Sequence, residues 1–207
     1  MQRTTVWSWL VGGVLLVAQT GFSLAGFGIA SDGDAGAPLA GLGAALCTLS
    51  ACLVYAFGLR AGESAVAGRP AGVALLLGLG ALSVFQAAWW AGPRGYGSGI
   101  EAALTAAAGG VVAYVLAFAA AVYIVRVGVI PAPWSWIPLA AVTLGLGLAA
   151  FFALVVPVVS SNAAGGAGVL PATIPALVGV VSIVLSVTTS PAAPRRRVST
   201  VRALPQG

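Results

Sequence analysis

Two carboxamides stand out as groups able to hold a ligand within an otherwise apolar chain. Gln19 is followed by Thr20 and Ser23, and Gln86 lies between Ser83 and the pair Trp89-Trp90. A carboxamide both donates and accepts hydrogen bonds, and a buried one wants several partners. Beside aromatic rings such groups could orient a neutral small molecule. Gln19, Ser83, Gln86, Trp89 and Trp90 therefore form the candidate ligand pocket, expected to open outward. The plainer expectation is that these groups bond one helix to another, at about 0.6–2 kcal/mol each in a membrane.

Groups for covalent or metal chemistry are scarce. The chain has no His, which removes His-ligated haem, His-containing zinc sites and Ser-His-Asp triads. Cys47 and Cys52 are five residues apart and point about 140° away from each other on a helix, so they cannot readily pair. Two thiols without His are a poor metal site. Asp32-Gly33-Asp34 could touch a hard cation, but the turn lacks the further oxygen ligands such a site needs. Ser98 followed by Glu101 is a capping-box pattern and is read as a helix start. No catalytic residue, metal site or cofactor is assigned, and the expectation is a protein that is not an enzyme.

These side chains must be positioned by helices in a bilayer. Of 207 residues, 60% are hydrophobic and 6% charged, with mean hydropathy +1.06. A soluble domain carries roughly 25% charged residues, so so few charges could not keep a water-facing surface in solution. A hydrocarbon core of ~30 Å needs about 20 apolar residues of helix. Six stretches qualify: residues 7–30, 38–59, 71–91, 100–125, 134–159 and 169–189. Gly, Pro and charged residues punctuate the gaps. The fold class expected is all-α: a polytopic membrane bundle of six transmembrane helices, residues 1–190. Residues 191–207 form a basic Pro- and Arg-rich tail, expected to be disordered and attractive to anionic lipid headgroups.

Arginine sets the orientation. All nine basic residues are Arg. With the N-terminus inside, Arg3, Arg60, Arg69, Arg126, Arg195, Arg196, Arg197 and Arg202 share the inner face. Arg94 alone lies outside. The basic bias of short loops predicts both termini on the cytoplasmic side. Trp7, Trp9, Trp89, Trp90, Trp134 and Trp136 fall at the expected interfaces, where amphipathic rings prefer to sit. Heavy use of Ala, Gly, Val and Arg suggests a GC-rich bacterial genome, hence a bacterial cytoplasmic membrane.

Lipid tails give helices no hydrophobic reason to associate, so small residues that allow close backbone contact matter more. Ala44, Thr48 and Cys52 in the second stretch form one such run. Gly110, Ala113 and Ala117 in the fourth and Gly145 and Ala149 in the fifth form two more. These three helices are expected to be the tightly packed interior. The string Trp-Ser-Trp occurs at 7–9 and at 134–136, and the hairpins are of similar length. Short-loop bundles give such spacing without duplication.

Function is narrowed mostly by exclusion. Ionisable groups inside a membrane usually mark ion and proton pathways, and the middles of these stretches hold none. The favoured expectation is an accessory or scaffold subunit of a membrane complex, docked on a membrane-protein partner or a second copy. The alternative is a membrane binding or transport domain for a neutral or apolar small molecule. In helix number and size alone, such a domain is similar to the substrate-capturing subunits of some bacterial vitamin importers, with no shared motif. The basic pI reflects topology, and no nucleic acid is implied. A polar-lined cavity of roughly 300 Å³ or more between the first, third and sixth stretches would favour the alternative; a solid core with an exposed small-residue groove would favour the scaffold.

Overall fold

The computed structural model describes residues 7–31, 36–60, 63–91, 100–130, 134–159 and 169–188. Asp32, Asp34, Arg94, Ser98, the Glu101 side chain and the tail lie outside the described residues. Six helices follow one another: α1 (Trp7–Ser31), α2 (Gly36–Phe57), α3 (Pro70–Ala91), α4 (Ile100–Val127), α5 (Ile137–Val159) and α6 (Val169–Thr188), with a 3₁₀ turn at Trp134–Trp136 leading into α5. There is no strand among the described residues. Five segments are long and apolar enough to cross a membrane: Trp7–Gly26, Gly36–Phe57, Pro70–Ala91, Ala107–Val127 and Trp134–Phe151. The sixth expected span falls on α6, where the apolar stretch Thr173–Thr188 is shorter. The chain is a membrane protein.

The helix ends follow local chemistry. Pro70 opens α3, where its missing N–H costs nothing and its fixed φ suits the first turn. Gly58 ends α2 in the left-handed region, with φ +71°, and its N–H returns to the Val54 carbonyl at 2.8 Å. Arg126 stands in the last turn of α4, where a cation complements the helix dipole.

The packing order is a closed ring. Each helix packs on its neighbours in sequence, and α6 closes the circuit on α1. Among the described residues no helix packs across the middle. The seams α1–α2, α1–α6 and α2–α3 are close, whereas those around α4 and α5 are thinner.

Glycine makes the closing seam. A Cβ built on Gly13 would lie 2.5 Å from the Gly179 carbonyl oxygen, and one on Gly179 would lie 2.6 Å from the Gly13 oxygen. The two backbones thus touch with no side chain between them, the contact that small residues permit in membranes.

The ring corrects the packing expected from small-residue runs. No helix is interior; each has one inward face. On α2, Ala44 and Cys52 are buried. On α5, Gly145 is buried against Ile174, and Ala149 is half-buried. On α4, Ala113 and Ala117 are only half-buried, and Gly110 faces open space. Lipid and protein interior are equally apolar, so a run of alanines does not say which of the two it meets. Outward, Leu39, Leu46 and Leu53 recur at seven-residue spacing on exposed α2 positions, where lipid is the natural cover.

The two Trp-Ser-Trp strings are used in opposite senses. Trp7 is exposed and Trp9 packs on the core; Trp134 packs on the core and Trp136 is exposed. Ser8 and Ser135 between them are both buried. The likeness is one of composition at the same end of the bundle, not of repeated geometry.

Candidate functional site

A ring of six helices leaves a centre that side chains must fill, and here they do not fill it. A partly open cavity of about 350 Å³ lies between the helices. Every helix contributes to its wall. Leu16 and Gln19 come from α1, Thr48, Cys52 and Tyr55 from α2, and Leu76, Leu79 and Ser83 from α3. Ala117, Ala120 and Ala121 come from α4, Ala141 and Val142 from α5, and Pro175, Val178 and Ser182 from α6. The wall on α4 is mostly alanine, Ala117, Ala120 and Ala121, and α5 adds Ala141; larger side chains at these positions would narrow the space.

The cavity belongs to one half of the bundle. Its wall runs from mid-helix positions down to Ala65 and Ile130, in the loops that carry Arg60, Arg69 and the end of α4. The loop between α2 and α3 is built as a floor. Val66 is 0% and Ala65 1% exposed. The Ser64 hydroxyl donates to the Ala56 carbonyl at 2.6 Å and accepts the N–H groups of Val66 and Gly68. The Ala65 N–H donates to the Tyr55 carbonyl at 2.9 Å. Glu63 then ties this floor to α1. Its carboxylate accepts the backbone N–H of Ser8 at 3.0 Å and the Ser8 hydroxyl proton. The Ser8 oxygen in turn accepts the Leu59 N–H at 2.6 Å. A carboxylate here meets the positive end of the α1 dipole and satisfies an otherwise unpaired helix-terminal donor.

Polar groups on the wall fall into two levels. Close contacts of Gly12 with Tyr55 and of Gly43 with Phe22 fix the antiparallel register of α1 and α2. That register sets Gln19 level with Thr48, and the contact of Gly80 with Leu49 and Cys52 brings Ser83 to the same height. Tyr55, Trp9 and Ser182 lie nearer the floor. Seven residues of helix separate Gln19 from Gly12, a rise of roughly 10 Å. Trp9 and Tyr55 pack ring on ring at 5.4 Å. Ser182 sits beside the Tyr55 hydroxyl but donates to Val178, and the buried phenol oxygen finds no partner within hydrogen-bonding geometry.

No known protein family, characterised protein or solved structure matches this chain.

What the cavity can hold follows from its wall. No acid, base or arginine lines it. A charge placed there would be desolvated without a counter-charge, at a cost of several kcal/mol. The space suits a neutral, mainly apolar molecule, at the small end of the usual ~300–1,000 Å³ range for ligand sites. A larger groove of about 650 Å³ runs along α5 past Trp136, Leu139 and Leu144, but a single helix face encloses nothing there.

The structure divides the sequence's pocket residues. Gln19 and Ser83 lie on the cavity wall; Gln86, Trp89 and Trp90 do not. Gln86 lies beyond Ser83 on α3 and turns to α4, with its Nε2 in close approach to Gly109. That nitrogen is buried without a partner. Trp89 pairs with Phe85 at 6.2 Å, and Trp90 is exposed. The outward-opening pocket therefore gives way to a cavity in the arginine-bearing half, because the wall runs down to the α2–α3 loop and stops short of Gln86. Among the small-residue positions, Thr48, Cys52 and Ala117 line the cavity. Among the described residues no cluster of His, Cys, Asp or Glu is placed to hold a metal.

Sequence reasoning overlooked Tyr55, the tie between Glu63 and Ser8, and the Gly13–Gly179 contact. Glu63 had a signal: it is the one acid expected on the arginine-rich side. Gln86→Leu is expected to leave stability within about 1 kcal/mol of wild type, because an apolar replacement removes an unpartnered donor. Chemical denaturation in detergent would measure this. A loss well beyond that value would show that Gln86 has a partner across α3 and α4.

Proposed function

We propose that this protein is a membrane-embedded binding domain, of the kind used in transport, for one neutral and largely apolar small molecule. The observation that carries the proposal is the closed six-helix ring around an uncharged cavity of about 350 Å³. An accessory subunit needs a packed bundle and an outer face; it has no use for a hollow one. The thin seams flanking α5 offer the natural route for a molecule arriving from the bilayer. In this reading α6 completes a sixth span and both termini are cytoplasmic, the orientation that the arginine distribution favours. The floor, Arg60, Arg69 and Arg126 then face the cytoplasm of a bacterial cell. In this reading the protein binds without catalysing, since no carboxylate, histidine, lysine or arginine lines the cavity.

The test is purification in mild detergent, followed by identification of everything that co-purifies. Wild-type protein is expected to carry a neutral apolar compound that Ala117→Phe, which fills the cavity, no longer retains. A stoichiometric protein partner held equally by both, with no such compound, would return the chain to the scaffold class.

A further inference from the structure

We propose that the cavity selects molecules bearing a hydrogen-bond donor, a hydroxyl or N–H group on an apolar body, over molecules bearing acceptors alone. This inference rests on the cavity being a binding site and adds what that site prefers.

The wall's hydroxyl protons at mid-height are used within their own helices. Thr48 donates its hydroxyl proton to the Ala44 carbonyl at 3.0 Å, and Ser83 donates to Leu79 at 3.0 Å. Each bond runs back along the donor's own helix, as hydroxyls in apolar helices commonly do. One of the two Gln19 amide N–H groups goes to the Ser23 hydroxyl at 3.4 Å, also within its helix. What Thr48 and Ser83 retain are oxygen lone pairs. The Gln19 Oε1 is buried and has no donor to accept from. Three helices thus bring acceptor oxygens to one level, with the second Gln19 N–H as the one proton left there.

An acceptor entering at this level meets the lone pairs of Thr48 and Ser83 and can be met only by the second Gln19 N–H. A donor meets up to three acceptor oxygens and supplies the partner that Gln19 Oε1 lacks. An unmet buried polar group is the costlier half of a hydrogen bond, so the preference should be marked. A cation would also be a donor, but nothing charged lines the cavity to balance it. Trp9 and Tyr55 near the floor can donate, so a ligand acceptor is accommodated there, away from the selective level.

The experiment compares 2-naphthol with 2-methoxynaphthalene, two neutral fluorescent probes of the same body. Binding is measured to the full chain in lipid nanodiscs. Ala117→Phe and Ala141→Phe, on different helices, give the background in case either variant fails to fold. Wild type is expected to bind 2-naphthol about tenfold more tightly, the equivalent of one hydrogen bond. In Gln19→Leu/Thr48→Val the ratio should fall to near one, through loss of 2-naphthol affinity. A purely structural role for these residues would weaken both probes together, and that result overturns the inference. Equal affinity of the two probes in wild type, with both excluded by the filling substitutions, overturns donor selectivity and leaves the binding site standing. Binding that the filling substitutions do not alter, or no binding, overturns the site and the selectivity with it.

Discussion

Gly179→Leu should destabilise the bundle by about 3 kcal/mol, at or beyond the usual upper end for overpacking. The side chain has no direction in which to escape, because its Cβ alone would sit 2.6 Å from the Gly13 carbonyl oxygen and 3.1 Å from Leu16 Cβ. The neighbouring atoms are backbone and the root of a side chain, which yield only if α6 moves off α1. That movement opens the seam that closes the ring, so both fold and cavity suffer. Gly13→Leu should act in the same way from the other helix. Gly147→Leu is the control, since a Cβ there meets open space. Unfolding in detergent should rank Gly179→Leu and Gly13→Leu far below wild type and leave Gly147→Leu beside it. Equal stability of all three would mean that α1 and α6 do not meet at these glycines.

Glu63→Ala should be the second largest loss, about 2–3 kcal/mol, the range for hydrogen bonds to a charged group together with the donor left unmet. The carboxylate gathers the backbone and side chain of Ser8, and Ser8 in turn holds Leu59. Removing it frees the first turn of α1 from the loop that floors the cavity. Ser8 is fully buried, so water does not readily replace what is lost. Glu63→Gln should recover part of the loss, because its amide oxygen still accepts. Ser8→Ala should be costly alone but add little to Glu63→Ala, since the two act as one unit. Full additivity in a double-mutant cycle would show that Glu63 and Ser8 do not interact.

Much of the fold was legible because hydropathy and punctuation agree. The predicted stretch 7–30 became Trp7–Ser31, 71–91 became Pro70–Ala91, and 169–189 became Val169–Thr188. Gly and Pro between the stretches made each boundary local. The ring was not legible. Its closure depends on Gly13 meeting Gly179 across almost the whole chain, and lone glycines in apolar helices are too common to announce a partner. Alanine runs misled for a related reason, since they fit lipid, a neighbouring helix or a hollow equally well. Gln19 and Ser83 reach the cavity while Gln86 leaves it through a small angular drift along α3. That drift decides which neighbour a side chain meets, and only the packing of α3 against α4 at Gly109 resolves it.

Cys52 gives direct access to the central claim, the proposal that the arginine-bearing half of the ring holds a site for neutral molecules. It lies on the cavity wall, and Cys47, the other thiol, can be replaced by alanine. In Cys47→Ala protein held in nanodiscs, the small neutral reagent methyl methanethiosulfonate should modify Cys52. A quaternary-ammonium thiosulfonate of similar reactivity should not, because an uncharged cavity does not admit a fixed charge. Ala117→Phe and Ala141→Phe should each slow the neutral reaction about tenfold or more, as expected when filling removes at least 1.4 kcal/mol of access. Modification by both reagents at similar rates, or a neutral rate that neither filling substitution changes, would contradict the account.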